Sequence, residues 1–163
     1  MKKFIALLMA VMMVLALGAC GNEKAGDDIN AKSEGVMTYA EYDAAAMDAE
    51  VVIEAYVQAT QSWWDNKITV YAQDGDGAYF LYELACAEAD AAKLVPGTKI
   101  KVKGYKGEWA GEVEIMDGTF EFAGDTKYVA EPVDATAWLG TDELIAHQNQ
   151  PPTSSFPGFS EPP

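Results

Sequence analysis

Apolar and polar residues alternate in five separate runs between residues 50 and 122 of this chain. A period of two places every second side chain on one face, so each run predicts a half-buried β-strand. In the first, Val51, Ile53, Ala55 and Val57 share a face. In the second, Ile68, Val70 and Ala72 point inward while Thr69 and Tyr71 point outward. The third, Ala78 to Leu84, is apolar on both faces, with Phe80, Tyr82 and Leu84 slightly preferred inside. In the fourth, Ile100 and Val102 face a core while Lys99, Lys101 and Lys103 face water, and Gly104 ends the alternation. In the fifth, Val113 and Ile115 alternate with Glu112 and Glu114. Phe120 and Phe122 have the opposite parity, so one continuous buried face needs an extra residue near Asp117-Gly118; a separate hairpin is the competing reading.

Local signals punctuate these runs. Thr38-Tyr39-Ala40-Glu41 reads as a capping box that starts a short helix running to about Ala46. Gln73-Asp74-Gly75-Asp76-Gly77 supplies turn chemistry between the second and third strands. Ala87, Ala91 and Leu94 form a small apolar stripe on a helix of about two turns. Pro96-Gly97 then suits a type II turn, after which a strand begins at Thr98. Tyr105 to Gly111 reads as a Gly-bracketed loop. Farther on, Lys127 to Ala130 predicts a short strand stopped by Pro132, Ala135 to Leu139 one helical turn, and Thr141 an N-cap for a helix over residues 142–148. Trp138, Leu139, Leu144 and Ile145 are expected to cover one end of the core that the five strands build.

The pattern L-x-P-G-x-x-I-x-V-x-G from Leu94 to Gly104, after a short helix, resembles the start of the fourth strand in oligonucleotide/oligosaccharide-binding (OB-fold) domains. The order strand, strand, strand, helix, strand, strand agrees with that resemblance. The expected fold is an all-β core, α+β overall: a five-stranded OB-like Greek-key barrel with a helix between strands three and four and short terminal helices.

Residues outside the barrel carry a different signal. Lys2 and Lys3, an apolar run from Phe4 to Leu17, and Leu17-Gly18-Ala19-Cys20 resemble the bacterial lipoprotein signal. That resemblance implies a signal peptide over residues 1–19 and diacylglyceryl attachment to Cys20, with palmitate-type acyl chains holding the protein to the membrane. The apolar run is shorter than the ~20 residues of a spanning helix. Residues 20–37 are polar and read as a lipidated flexible tether, 38–149 as the OB-like domain with its terminal helices, and 150–163 as a disordered Pro-rich tail. The whole is similar to bacterial lipoproteins that carry an OB-fold domain, which implies an extracytoplasmic, membrane-anchored location.

Charge and cysteine content narrow the partners. All 11 basic residues are lysine; once Lys2 and Lys3 leave with the signal, nine lysines face 26 acidic residues. Such a field opposes a general nucleic-acid binder, because phosphate contacts depend on concentrated positive charge. With Cys20 lipidated, Cys86 has no partner for an intramolecular disulfide and reads as a small buried hydrophobe.

Candidate ligand contacts are aromatic. Trp63, Trp64, Tyr71, Tyr79, Tyr105 and Trp109 fall on the second and third strands or on the connections between strands one and two and four and five, the elements that OB domains use for ligands. Aromatic faces stack on sugar C–H groups or on bases. At least one of Trp63 and Trp64 is expected to be exposed, the other plugging the barrel end. Lys99, Lys101, Lys103 and Lys106 form a basic stripe, best explained by cross-strand pairs with Glu50 and Glu54 or with Glu112 and Glu114. Asp74-Gly75-Asp76-Gly77 starts like a calcium loop but has Ala78 and Ala85 where further oxygen ligands belong. His147 has no companion ligand, so neither a metal nor a cofactor is expected. The functional expectation is a noncovalent binding module for an oligosaccharide or a protein partner, not an enzyme. Single-stranded nucleic acid is the alternative. A two-carboxylate hydrolase is third, since nothing positions a nucleophile or separates two carboxyl pKa values.

Overall fold

The computed structural model describes residues 28–147. The expected signal segment, Cys20 and the Pro-rich tail lie outside the described residues. Five strands, β1 (Glu50–Thr60), β2 (Lys67–Gln73), β3 (Ala78–Ala85), β4 (Thr98–Trp109) and β5 (Glu112–Lys127), close into a barrel in the order β1-β2-β3-β5-β4. Every ladder is antiparallel except the one between β3 and β5. This is the OB arrangement. Helix α1 (Tyr39–Ala44) precedes the barrel, α2 (Glu88–Ala91) lies between β3 and β4, and a 3-10 turn (Thr136–Trp138) and α3 (Asp142–Ala146) follow it.

The alternating residues of β1, β2 and β4 fill the interior as their pattern requires: Val51, Ile53, Ala55, Val57, Ile68, Val70, Ala72, Ile100 and Val102 are all buried. In β3 the expected face is corrected. Tyr79 and Leu81 point inward and Tyr82 is exposed, yet Leu84 is also fully buried. Glu83, at φ 47°, is the extra residue that reverses the parity: Val70 faces Leu81 and Ile68 faces Leu84, leaving Tyr82 and Glu83 opposite Thr69. The bulge expected near Asp117 is present. Asp117 takes φ 51°, Lys103 pairs with Thr119 and Tyr105 with Met116, so β5 runs as one bent strand. Gly104 sits inside this bend, where a Cβ would lie 2.7 Å from Ile115. Accordingly β4 passes through Gly104 to Trp109, and the expected loop from Tyr105 shrinks to a tight turn at Ala110-Gly111. The same strand pairing carries β5 through Lys127, in place of a separate strand there.

Each end of the barrel is closed differently. At one end α1, capped by Thr38 and Glu41 in a reciprocal box, brings Tyr42 and Tyr39 against Tyr79, with ring centroids 5.1 and 5.6 Å away. Lys106 is buried here. Its ammonium donates to the carbonyls of Tyr42, Asp43 and Ala45 at 3.1, 2.7 and 3.0 Å, at the helix end where carbonyls run short of intrahelical donors, the Tyr42 oxygen also accepting from the Ala45 N–H. At the other end Leu94 is buried beside α2, and Trp63 packs on the core. The segment around α3 does not form the expected lid: Leu139, Leu144 and Ile145 are exposed, and Trp138 instead stacks on His147 with centroids 4.1 Å apart.

Residues 28–37, part of the expected tether, lie against the barrel as a strap. The first half of β1 extends beyond its ladder with β2, which begins at Tyr56 and Gln73. The strap covers that edge: Met37 N–H donates to the Val52 carbonyl at 2.8 Å, and Lys32 donates to the Glu54 carbonyl. Lys32 also pairs with Asp74, a fully buried carboxylate whose other oxygen accepts from the N–H groups of Asp76 and Gly77, both at 2.8 Å. Asn30 joins the same turn through Gly75 N–H and Asp76. A polar sequence therefore folds onto the surface largely by satisfying buried polar atoms, with Met37 adding an apolar contact to the core.

Candidate binding face

The outer face of β2 and β3 carries a row of rings. Tyr71 and Phe80 are register partners, with centroids 5.3 Å apart and planes inclined at 32°; Phe80 and Tyr82 follow at 6.2 Å. Tyr71 and Tyr82 are exposed and Phe80 is half-buried. Gln61 fixes the row at one side by donating to the Tyr71 hydroxyl at 2.9 Å. On the other side Glu114 is the register partner of Phe80 across the parallel ladder. Its carboxyl is held above the usual carboxylate range, first by burial and then by the charge of Glu112.

The six aromatic residues singled out by sequence do not form one cluster. Trp64 is 80% exposed, beside the end of β2 where Lys67 pairs with Ala85. Trp63 points the other way and donates from its indole to the Cys86 carbonyl at 2.9 Å. Trp109 is exposed at the β4–β5 turn, but this turn lies near the start of β3, because Glu114 aligns with Phe80. Trp64 and Trp109 thus stand at opposite ends of the ring row, not together at one end. Tyr105 is exposed on β4 opposite Glu50 of β1, away from β2 and β3. Tyr79 is inside the barrel, its hydroxyl donating to Asp74 at 3.0 Å and its pKa pushed up by burial and by that carboxylate. Phe80 and Tyr82, read as core residues, replace Tyr79 on the outer face. The mutual parity of Tyr71 and Phe80 was available in the sequence; the bulge at Glu83 that hid it was not.

The basic stripe resolves into pairs. Lys99 meets Glu54 at 3.0 Å, Lys103 meets Glu50 at 3.1 Å, and Lys101 lies 3.9 Å from Glu121. Lys106 leaves the stripe for α1. Among the described residues, no group of three or more His, Cys, Asp or Glu is placed to hold a metal ion. The Asp74 turn is occupied by its own N–H groups, Lys32 and Tyr79. Cys86 is buried, which raises its thiol pKa, with Asp90 adding to the effect.

No family model matches the chain, and no curated protein matches it. Solved structures do. An asparaginyl-tRNA synthetase of Entamoeba histolytica in complex with asparaginyl-adenylate is similar over 66% of this chain and 29% of its own, at 14% identity and a TM-score of 0.43. An aspartyl tRNA synthetase of the same organism is similar over 72% of this chain and 27% of its own, at 14% identity and a TM-score of 0.35. The chain matches less than a third of the length of either, and likeness at this distance carries no argument about function.

Proposed function

We propose that this chain is a noncovalent binding module, held at an extracytoplasmic bacterial membrane surface through a lipid on Cys20, that takes an oligosaccharide on the outer face of β2 and β3. The observation that carries the reading is the ring row Tyr71–Phe80–Tyr82, partly solvent-facing and bordered by polar side chains. Ring faces supply C–H stacking for pyranoses, and Gln61 and Glu114 supply hydrogen-bonding groups at the margins. Net charge supports an uncharged ligand: the formal charge of −15 repels polyanions, and on β4 Lys99 and Lys103 are paired with carboxylates while Lys106 is held by α1. The same rings can stack on bases, which makes single-stranded nucleic acid the second reading.

The test is titration of the full chain in detergent with neutral linear glycans and with oligothymidylate, at low and high salt, read by tryptophan fluorescence and calorimetry. Glycan binding with little salt dependence, weakened by Tyr71→Ala, supports the reading. Steeply salt-dependent oligothymidylate binding replaces it with the second. Binding of neither class returns the face to a protein partner.

A further inference from the structure

Glu114 carries a charge without a counterion beside the ring row. Leu81 and Ile115 are register partners and both lie in the core, so Phe80 and Glu114, the pair one residue earlier on each strand, share the outer face. Glu114 is nevertheless only 5% exposed. Among the described residues its carboxyl has no hydrogen-bond or ion-pair partner. Lys67 is taken by Glu83 at 2.7 Å, and Lys106, on the strand alongside, turns to the carbonyls of α1. The Glu114 oxygens still reach solvent, since neither is among the unpartnered side-chain atoms sealed inside the described fold.

Its surroundings favour one sign of ligand. On the β4 side the register partner of Glu114 is Gly107, which has no side chain to pair with it; Met116 lies across that glycine, where an added Cβ would come 2.3 Å from the Met116 methyl. Burial and the charge of Glu112 act on Glu114 together, and Tyr82, whose pKa is raised chiefly by Glu83, also feels the Glu114 charge. A carboxylate buried without a donor and beside a like charge is destabilising. Its complement is a cation that carries N–H donors, and the ring faces alongside attract cations as well. A hydroxyl would donate one hydrogen bond there but leave the charge unbalanced. The formal charge of −15, which repels anions, draws a cation toward the surface.

We infer that the β2–β3 face selects amino sugars, with a free ammonium on the ring stacked at Phe80 donating to the Glu114 carboxylate. The inference rests on the oligosaccharide reading of this face and names the class of sugar it takes. Ring stacking alone accepts a neutral sugar; Glu114 adds a preference for a positive one.

Calorimetry of the full chain in non-ionic detergent, below the pKa of the sugar amines, tests it with chitotriose, which carries free amines, and with cellotriose, which has hydroxyls in their place. Chitotriose should bind about tenfold or more tighter, the ratio expected when a hydrogen bond to a charged group is added. Glu114→Gln keeps the shape and removes the charge; it should weaken chitotriose by about the same factor and leave cellotriose unchanged. Glu121→Gln removes an equal charge from an exposed position elsewhere on β5 and should move chitotriose by less than about twofold. An unfolding temperature no lower than that of the parent shows that Glu114→Gln is folded. Equal affinity for the two sugars, no binding of chitotriose, or equal effects of the two substitutions overturns the inference, the last showing attraction by net charge alone. Failure of the face itself reads differently, because Tyr71→Ala would then leave the binding of both sugars unaltered.

Discussion

The Trp63 indole and the Cys86 carbonyl, 2.9 Å apart, tie the β1–β2 connection to the chain leaving β3. Trp64, one residue on, has no such place in the core and is 80% exposed. Truncation of the two should therefore differ. Trp63→Ala should cost ~3 kcal/mol, near the lower end for a lost tryptophan because the ring is half-buried, while Trp64→Ala and Trp109→Ala leave the unfolding midpoint nearly unchanged. Severe destabilisation of all three in chemical denaturation would show that these indoles are plugs and remove Trp64 from the candidate face.

Lys106 is a structural cation. Lys106→Met strips three bonds from the carbonyls that end α1, one buried and two part-buried, and should cost ~1 to 3 kcal/mol. Lys103→Met, which removes only the exposed pair with Glu50, should cost ~0 to 1 kcal/mol. Equal midpoints for the two variants would contradict the assignment.

The strap depends on one ion pair inside a polar network. Breaking a buried pair from one side costs ~3 to 5 kcal/mol, and Lys32→Met should fall toward the lower figure because Asp74 keeps its bonds to Asp76, Gly77 and Tyr79. Limited proteolysis should then cleave within residues 28–37 much faster than in the parent chain. Unchanged cleavage would mean that the strap is held by its other contacts.

Glu114 sets a pH dependence of known sign. Burial and Glu112 raise its pKa in the folded chain, so the folded state holds this proton more tightly than the unfolded one. The group therefore lowers stability at neutral pH, and that loss is recovered as pH falls through the raised value. Glu114→Gln should unfold at a higher temperature than the parent at pH 7, with the gap narrowing on acidification. A gap that widens toward low pH would reverse the assignment.

Strand positions were readable wherever one parity was apolar and the other polar. Ile100 and Val102 among their lysines, and Val51 to Val57, left no choice of face. The change of parity between Ile115 and Phe120 even located the Asp117 bulge. β3 offered apolar residues at both parities, so period alone could not decide, and the positive φ of Glu83 mixed the two sets. Lys106 looked like one more outward lysine, because the carbonyls that bury it lie about 60 positions earlier in the chain. The strap was hidden for a related reason: its polar composition describes a solvated segment unless the buried carboxylate of Asp74 is known to be waiting for Lys32. At the candidate face, the outward side of Tyr71 was legible from strand position and the exposure of one of Trp63 and Trp64 from their loop, but not which of the two, whereas the placement of Tyr105 and Trp109 depended on how far β4 continued past Gly104.

Asn30, clasped by Gly75 and Asp76, gives the barrel a near pole and a far pole. Among the described residues, the earliest in the chain to meet the barrel, Ile29 and Asn30, do so at the β2–β3 turn. Trp64 lies beyond the other end of β2, a strand of seven residues about 20 Å long. With a lipid on Cys20, the turn would become the inboard side and Trp64 the outboard tip. Tyr71 and Phe80, register partners, would then stand side by side at one height, with Tyr82 a step farther from the bilayer toward Trp64, so the stacking surface would rise to one side.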